Sequence, residues 1–197
     1  MPNLPISQLP AANSLTGAEI FPLVQDGITK QTTFDTIVSG SYEANSYYLS
    51  AYHTDSIYMT GSAYTIYPMV YNTTDLANGI SISGSNNDKI KFYNNGVYDI
   101  QFSAQIDKTN SSNQKLYIWL SKNGTNVAYS NTAVAVFGGS NEESVAAWNF
   151  YVRASAGDYY QLLMATTDSN IIIQADPSPS GSIPAIPSII LTVGRVG

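Results

Sequence analysis

The chain contains no cysteine, one histidine and few charges of either sign. The missing thiols exclude disulfides, cysteine nucleophiles and thiolate zinc sites. His53 stands alone, so a two-histidine metal site or a paired acid–base dyad has no parts to draw on, and it reads as a polar strand residue. Only 11% of the 197 residues are charged, against roughly 25% in an average soluble domain. The eight Lys and Arg are scattered singly in a chain of net charge −6. Without a basic patch there is no phosphate neutralisation, which removes nucleic acid as an expected partner. Acidic residues are isolated apart from Glu142-Glu143. Neighbours on one loop do not flank a glycosidic bond as paired catalytic carboxylates must. Asp75, Asp88 and Asp107 offer the oxygen ligands that hard cations take, but without EF-hand spacing. No catalytic residue, cofactor or metal site is expected, and the protein is read as a non-enzyme. Met1-Pro2-Asn3-Leu4-Pro5 lacks the basic and apolar regions of a secretion signal, and no membrane insertion is expected.

What the chain does have is apolar mass and tyrosine: 44% hydrophobic residues and 15 tyrosines. That is enough for one core with an appendage. The clearest pattern runs from Ile90 to Ser103. After Asn95-Gly96, Val97, Asp99, Gln101 and Ser103 alternate with Tyr98, Ile100, Phe102 and Ala104. This is the period-2 signature of a half-buried strand. Asn95-Gly96 reads as a tight turn, glycine supplying positive φ, and so predicts a hairpin over 90–104.

Further strands are predicted over 52–58, 63–71, 79–83, 115–122, 125–130, 146–152, 159–163, 171–174 and 188–193. Asn123-Gly124 reads as another turn. Pro68 cannot donate a ladder hydrogen bond and marks an edge or bulge. Residues 72–78 read as a polar loop. Ser188-Ile-Ile-Leu-Thr-Val193, apolar on both faces, reads as a central strand buried on both sides. About ten strands at short spacing, with no long amphipathic helix, predict an all-β sandwich.

Residues 1–40 differ. Prolines 2, 5 and 10 keep the start extended. Asp26-Gly27 between two β-prone runs predicts a small hairpin, and Thr33 is placed to cap a helical turn over Phe34–Ile37 that ends near Gly40. A segment this short cannot bury its own aliphatics. Ile6, Leu9, Leu15, Ile20, Phe21 and Leu23 therefore need a partner outside it. The expected division is 1–40 as an anchoring segment and 41–197 as the sandwich.

Two resemblances sharpen this. The run Phe92 to Ser103, with Asn-Gly followed by Tyr-x-Ile-x-Phe-Ser, is similar to the central strand of complement-type and tumour-necrosis-factor-like jelly rolls. Trp119-Leu-Ser-Lys-Asn-Gly-x-Asn-Val127 and Gly157-Asp158 before an apolar strand fit the same pattern. The resemblance implies a jelly roll that forms a homotrimer, and Tyr98, Ile100, Phe102, Trp148 and Phe150 are the residues expected at its interface. Separately, Ile6-Ser-x-Leu-Pro-x-Ala, Leu15-Thr-Gly-x-Glu and Pro22-Leu-Val-Gln-x-Gly-x-Thr-Lys-x-Thr32 resemble a recurrent N-terminal module of tailed-bacteriophage tail fibres and head fibres. That resemblance implies a virion protein on the particle exterior, joined through residues 1–40 to capsid, portal or tail. Two roles follow: a capsid-decorating or short fibre protein, or a tail-fibre receptor-binding protein recognising a host surface glycan. The expected loops 83–88, 107–114, 138–143 and 176–187 carry no aromatic residue. Sugar-stacking platforms are thus missing from them, which favours decoration.

Overall fold

A computed structural model describes residues 16–37, 46–140, 142–178 and 180–197. The chain divides into two compact units, Met1–Ser46 and Tyr47–Gly197. In the first, β1 (Ile20–Gln25) and β2 (Ile28–Thr33) pair antiparallel from Ile20–Thr33 to Gln25–Ile28. Asp26 and Gly27 both take positive φ, 55° and 73°. This is the two-residue turn whose twist matches antiparallel strands. A helical turn follows at 34–37, and the Thr36 amide donates to Thr33 Oγ1 at 3.2 Å, so Thr33 is its cap. The expected end of that turn near Gly40 lies outside the described residues, as do Ile6, Leu9 and Leu15.

The second unit is a two-sheet antiparallel sandwich. One sheet contains β13 (Ser144–Ala154), β9 (Gly96–Lys108), β16 (Ile189–Arg195) with the collinear β15 (Ile171–Ile173), then β3 (Tyr48–His53) with β4 (Ile57–Tyr58), and β6 (Thr73–Asn78). We call it the β9 sheet. The other, the β10 sheet, contains β12 (Thr132–Val136) with β11 (Thr125–Asn126), β10 (Gln114–Lys122), β14 (Tyr159–Thr166), β8 (Lys89–Phe92) with β5 (Tyr67–Pro68), and β7 (Ile80–Ser83). Their inner faces close one core. Tyr98, Ile100, Leu191 and Val193 from the β9 sheet meet Leu116, Ile118, Leu162 and Met164 from the β10 sheet, all buried.

The alternation of 96–108 is as expected: Tyr98, Ile100, Phe102, Ala104 and Ile106 face the core. The predicted hairpin is not. β8 and β9 belong to different sheets, and residues 93–95 cross between them. Phe92 and Tyr98 face each other within the core, ring centroids 4.5 Å apart. Gly96 is not in the left-handed region. It is glycine because a Cβ there would lie 2.7 Å from Arg195 Nε and 2.9 Å from the Gly197 carbonyl oxygen, where the last residues pack against the start of β9.

Other expectations also need correction. Residues 73–78, read as a loop, form β6, an edge strand on β3 with exposed residues on both faces and hence no alternation to detect. The run 63–71 is mostly loop; only Tyr67 and Pro68 pair, beside β14. β12 was not anticipated. β16 is central, between β9 and β3, but buried on one face only: Ile190 and Thr192 are exposed.

Candidate functional site

In the first unit Ile20, Val24 and Ile28 are 64%, 72% and 62% exposed, and Phe21 and Ile37 are also exposed. Leu23 is half-buried. Phe21 touches Phe34, centroids 6.4 Å apart. The unit is stiffened by Glu19, whose carboxylate accepts from the Thr16 amide and hydroxyl, both at 2.7 Å, and from the Gly17 amide at 2.9 Å. The Thr16 bonds come first in holding the Glu19 carboxyl down, at about 2 against its ordinary 4.5. The hairpin thus presents apolar side chains from a fixed backbone.

In the sandwich, Tyr98 and Ile100 are wholly enclosed within the chain's own core and Phe102 nearly so, leaving little side-chain surface for a partner. Trp148 and Phe150 share the core-side register of β13, opposite Phe102 and Ile100. Trp148 meets Phe102 edge-on at 4.8 Å, and Phe150 stacks on Phe102 at 6.4 Å. Both are half-buried in that cluster. The outward register of the β9 sheet is a different set. Tyr151, Asn149, Ala147 and Val145 on β13 lie beside Asp99, Gln101, Ser103 and Gln105 on β9. Thr192 and Ile190 on β16, then Ser50 and Tyr52 on β3, continue it. Both Asp99 oxygens are held by neutral amides, Gln101 Nε2 at 2.7 Å and Asn149 Nδ2 at 2.9 Å. Beside Ile190 and Tyr52, a mainly apolar hollow of about 600 Å³ is closed by Ala175, Pro177, Ile186 and Pro187 of the proline-rich loop.

The outer face of the β10 sheet carries a second hollow, about 390 Å³, lined by Tyr64, Ile66, Tyr117, Trp119, Asn131 and Ala165. Tyr117 and Ala165 are register partners on β10 and β14. Tyr64 is laid over them by its amide, which donates to the Thr166 carbonyl at 2.8 Å. The Trp119 indole donates to Asn126 Oδ1 at 2.8 Å. No local sequence signal joins these residues, because Tyr64 and Trp119 meet only through sheet pairing. The left-handed φ of Tyr64 (63°) and Tyr129 (61°) takes both out of strand geometry, contrary to the strands predicted over 63–71 and 125–130.

His53 is half-buried at the end of β3; burial pushes its pKa down and Asp55 opposes this. Asp75 lies on β6, Asp88 accepts from Gln161 beside β14, and Asp107 is on β9, so the three do not converge. Among the described residues no group of three His, Asp or Glu is arranged to hold a metal ion. No helix among them is long and apolar enough to cross a membrane.

Compared with solved structures, the chain is similar to Eiger TNF from S. frugiperda at 7% identity, with 78% of this chain and 92% of that chain covered and a TM-score of 0.52. Murine APRIL at pH 8.5 matches at 10% identity, covering 77% of this chain and 100% of that one, with a TM-score of 0.47. At this level of identity the likeness concerns fold. The sandwich is a tumour-necrosis-factor-like jelly roll, as the pattern around Tyr98-x-Ile100-x-Phe102 implies. No protein-family model matches the chain, and no curated protein matches it.

Proposed function

We propose that this protein is a non-enzymatic structural component of a tailed-bacteriophage virion. In this reading it is a trimeric capsid-decorating, head-fibre or short fibre protein on the particle exterior, joined through residues 1–40 to capsid, portal or tail protein. One observation carries it. The β1–β2 hairpin holds Ile20, Phe21, Val24 and Ile28 exposed on a fixed backbone, within the stretch that resembles phage appendage modules. A two-stranded ribbon displaying aliphatics is a half-built interface, since it needs another surface to bury them.

Self-association supports the same reading. The outward face of the β9 sheet combines exposed Tyr48, Leu76, Val145, Tyr151 and Ile190 with Asp99, whose two oxygens already accept from neutral amides. This is a mix of apolar and hydrogen-bonding groups of the kind found at interfaces between copies. Immunogold microscopy of intact particles tests the assignment: label on the exterior of head or tail is expected, and particles without label overturn it. Sedimentation of the purified protein should give three times the 21.2 kDa chain mass, and a monodisperse monomer at micromolar concentration refutes the trimer. The second reading, a tail-fibre receptor-binding protein, is favoured by the aromatic hollow on the β10 sheet.

A further inference from the structure

The expected loops 83–88, 107–114, 138–143 and 176–187 carry no aromatic residue, which speaks against sugar recognition only if those are the loops that matter. The fold removes that premise. Residues 63–66 and 127–131 are not strands, and each places an exposed tyrosine in a left-handed conformation. A bulky residue with positive φ is a backbone outlier, costing of order 1–3 kcal/mol, and such outliers gather where a side chain must be presented. Tyr64 is 62% exposed and Tyr129 fully exposed. They belong to two loops that flank the same face: Tyr64 lines the hollow, and Tyr129 stands two residues from Asn131, which also lines it.

The hollow has two kinds of wall. Tyr64 and Tyr117 sit 6.1 Å apart at a 46° tilt, and Trp119 is aligned with Tyr117 on the outward face of β10. Ala165 forms the floor. The polar elements are neutral amides. The Trp119 indole is held in place by its bond to Asn126 Oδ1. Asn131 adds an exposed amide with both a donor and an acceptor. No charged residue lines the site. Its volume falls within the roughly 300–1,000 Å³ of small-molecule sites, and aromatic walls with a few fixed polar groups are what such sites contain.

We infer that Tyr64, Tyr117, Trp119 and Asn131 form a binding site for a neutral saccharide. The apolar face of a sugar ring packs on flat aromatic side chains, while its hydroxyls both donate and accept, as the Asn131 amide does. An anionic ligand would meet no cation in the hollow and would approach a protein of charge −6. A proline-rich peptide also fits aromatic grooves, but it offers mainly carbonyl acceptors and would use only the donor half of the Asn131 amide. This site is on the sheet opposite the proposed self-association face, and it stands or falls independently of particle attachment.

The test uses purified full-length protein on an array of neutral oligosaccharides, followed by titration of the best-bound sugar. Wild type should bind, and Trp119→Ala should weaken binding at least tenfold. Tyr64→Gly, which relieves the positive φ and leaves the core untouched, should weaken it similarly, so loss of binding is separable from unfolding. Tyr58→Ala, at an exposed edge of the other sheet, should bind as wild type. Absence of binding to every neutral sugar overturns the proposal. So does binding unchanged in Tyr64→Gly and Trp119→Ala, or preference of the hollow for a proline-rich peptide.

Discussion

The β1–β2 hairpin and β9 are written in the same residue types and meet opposite fates. In β9, Tyr98 and Ile100 are wholly buried because two sheets close over them. In the hairpin, Ile20 and Val24 are exposed, and among the described residues of that unit no second sheet lies over them. Secondary structure in both follows from local chemistry, but burial depends on whether a second layer exists. Where two sheets face each other, apolar residues become core; on a single ribbon they stay exposed.

The sharpest way to test that contrast is a matched pair of truncations. Ile100→Ala should cost about 2–5 kcal/mol, as buried large-to-small changes do. Ile20→Ser should move the unfolding midpoint of the purified protein by no more than about 0.5 kcal/mol. Denaturant melts of the two variants compare them directly, and equal costs would dissolve the distinction. Gly96→Ala probes the sandwich through its backbone. The added methyl meets Arg195 and the Gly197 carbonyl, so a loss of about 1–3 kcal/mol is expected. Gly27→Ala in the hairpin, with open space around it, should leave the melt of the sandwich unchanged.

Tyr71 offers a smaller change of opposite sign. Its hydroxyl is buried without a hydrogen-bond partner among the described residues, and burial pushes its pKa up. Tyr71→Phe should raise stability by about 1 kcal/mol; a loss of similar size would mean the hydroxyl is satisfied.

The least effect is expected from acid, and it should reach both units alike. Lys122 bonds Asp158 at 2.8 Å, and this contact, before the Ser155 amide, lowers the Asp158 pKa from 3.8 to about 2. Glu19 is lowered to about 2 by Thr16. For a carboxylate depressed in the folded state, stabilisation is complete above its unfolded pKa and is lost as pH falls towards the folded one. Carboxyl NMR titrations should therefore give midpoints near 2 for both groups. Midpoints at ordinary carboxylate values would remove these contacts from the account.

Several features were legible in the sequence because a single residue type carried them. Asp26-Gly27 needs positive φ twice, Thr33 has a cap to make, and the alternation of β9 names its core face. Period 2 assigns faces, however, not partners. Residues 97–104 show their two faces in sequence, yet β9 pairs with β13 and β16, distant in sequence, instead of with the adjacent β8. The same limit explains the expected interface set. Tyr98, Ile100 and Phe102 are large residues on the inward register of β9 and so are claimed by the chain's own core. Their neighbours Asp99 and Gln101 face outward. β6 left no pattern, because an edge strand exposed on both sides has none to leave. Tyr64 misled because the aromatic-rich run 63–71 has the composition of a strand while the backbone turns at a left-handed tyrosine.

The division of labour between the two units is tested most directly by mixing purified full-length protein, and separately residues 41–197, with particles that lack this protein, then sedimenting the particles. The account predicts that full-length protein pellets with the particles and that the truncated protein, still folded and trimeric, stays in the supernatant. Equal recovery of both with the particles, or of neither, would contradict it.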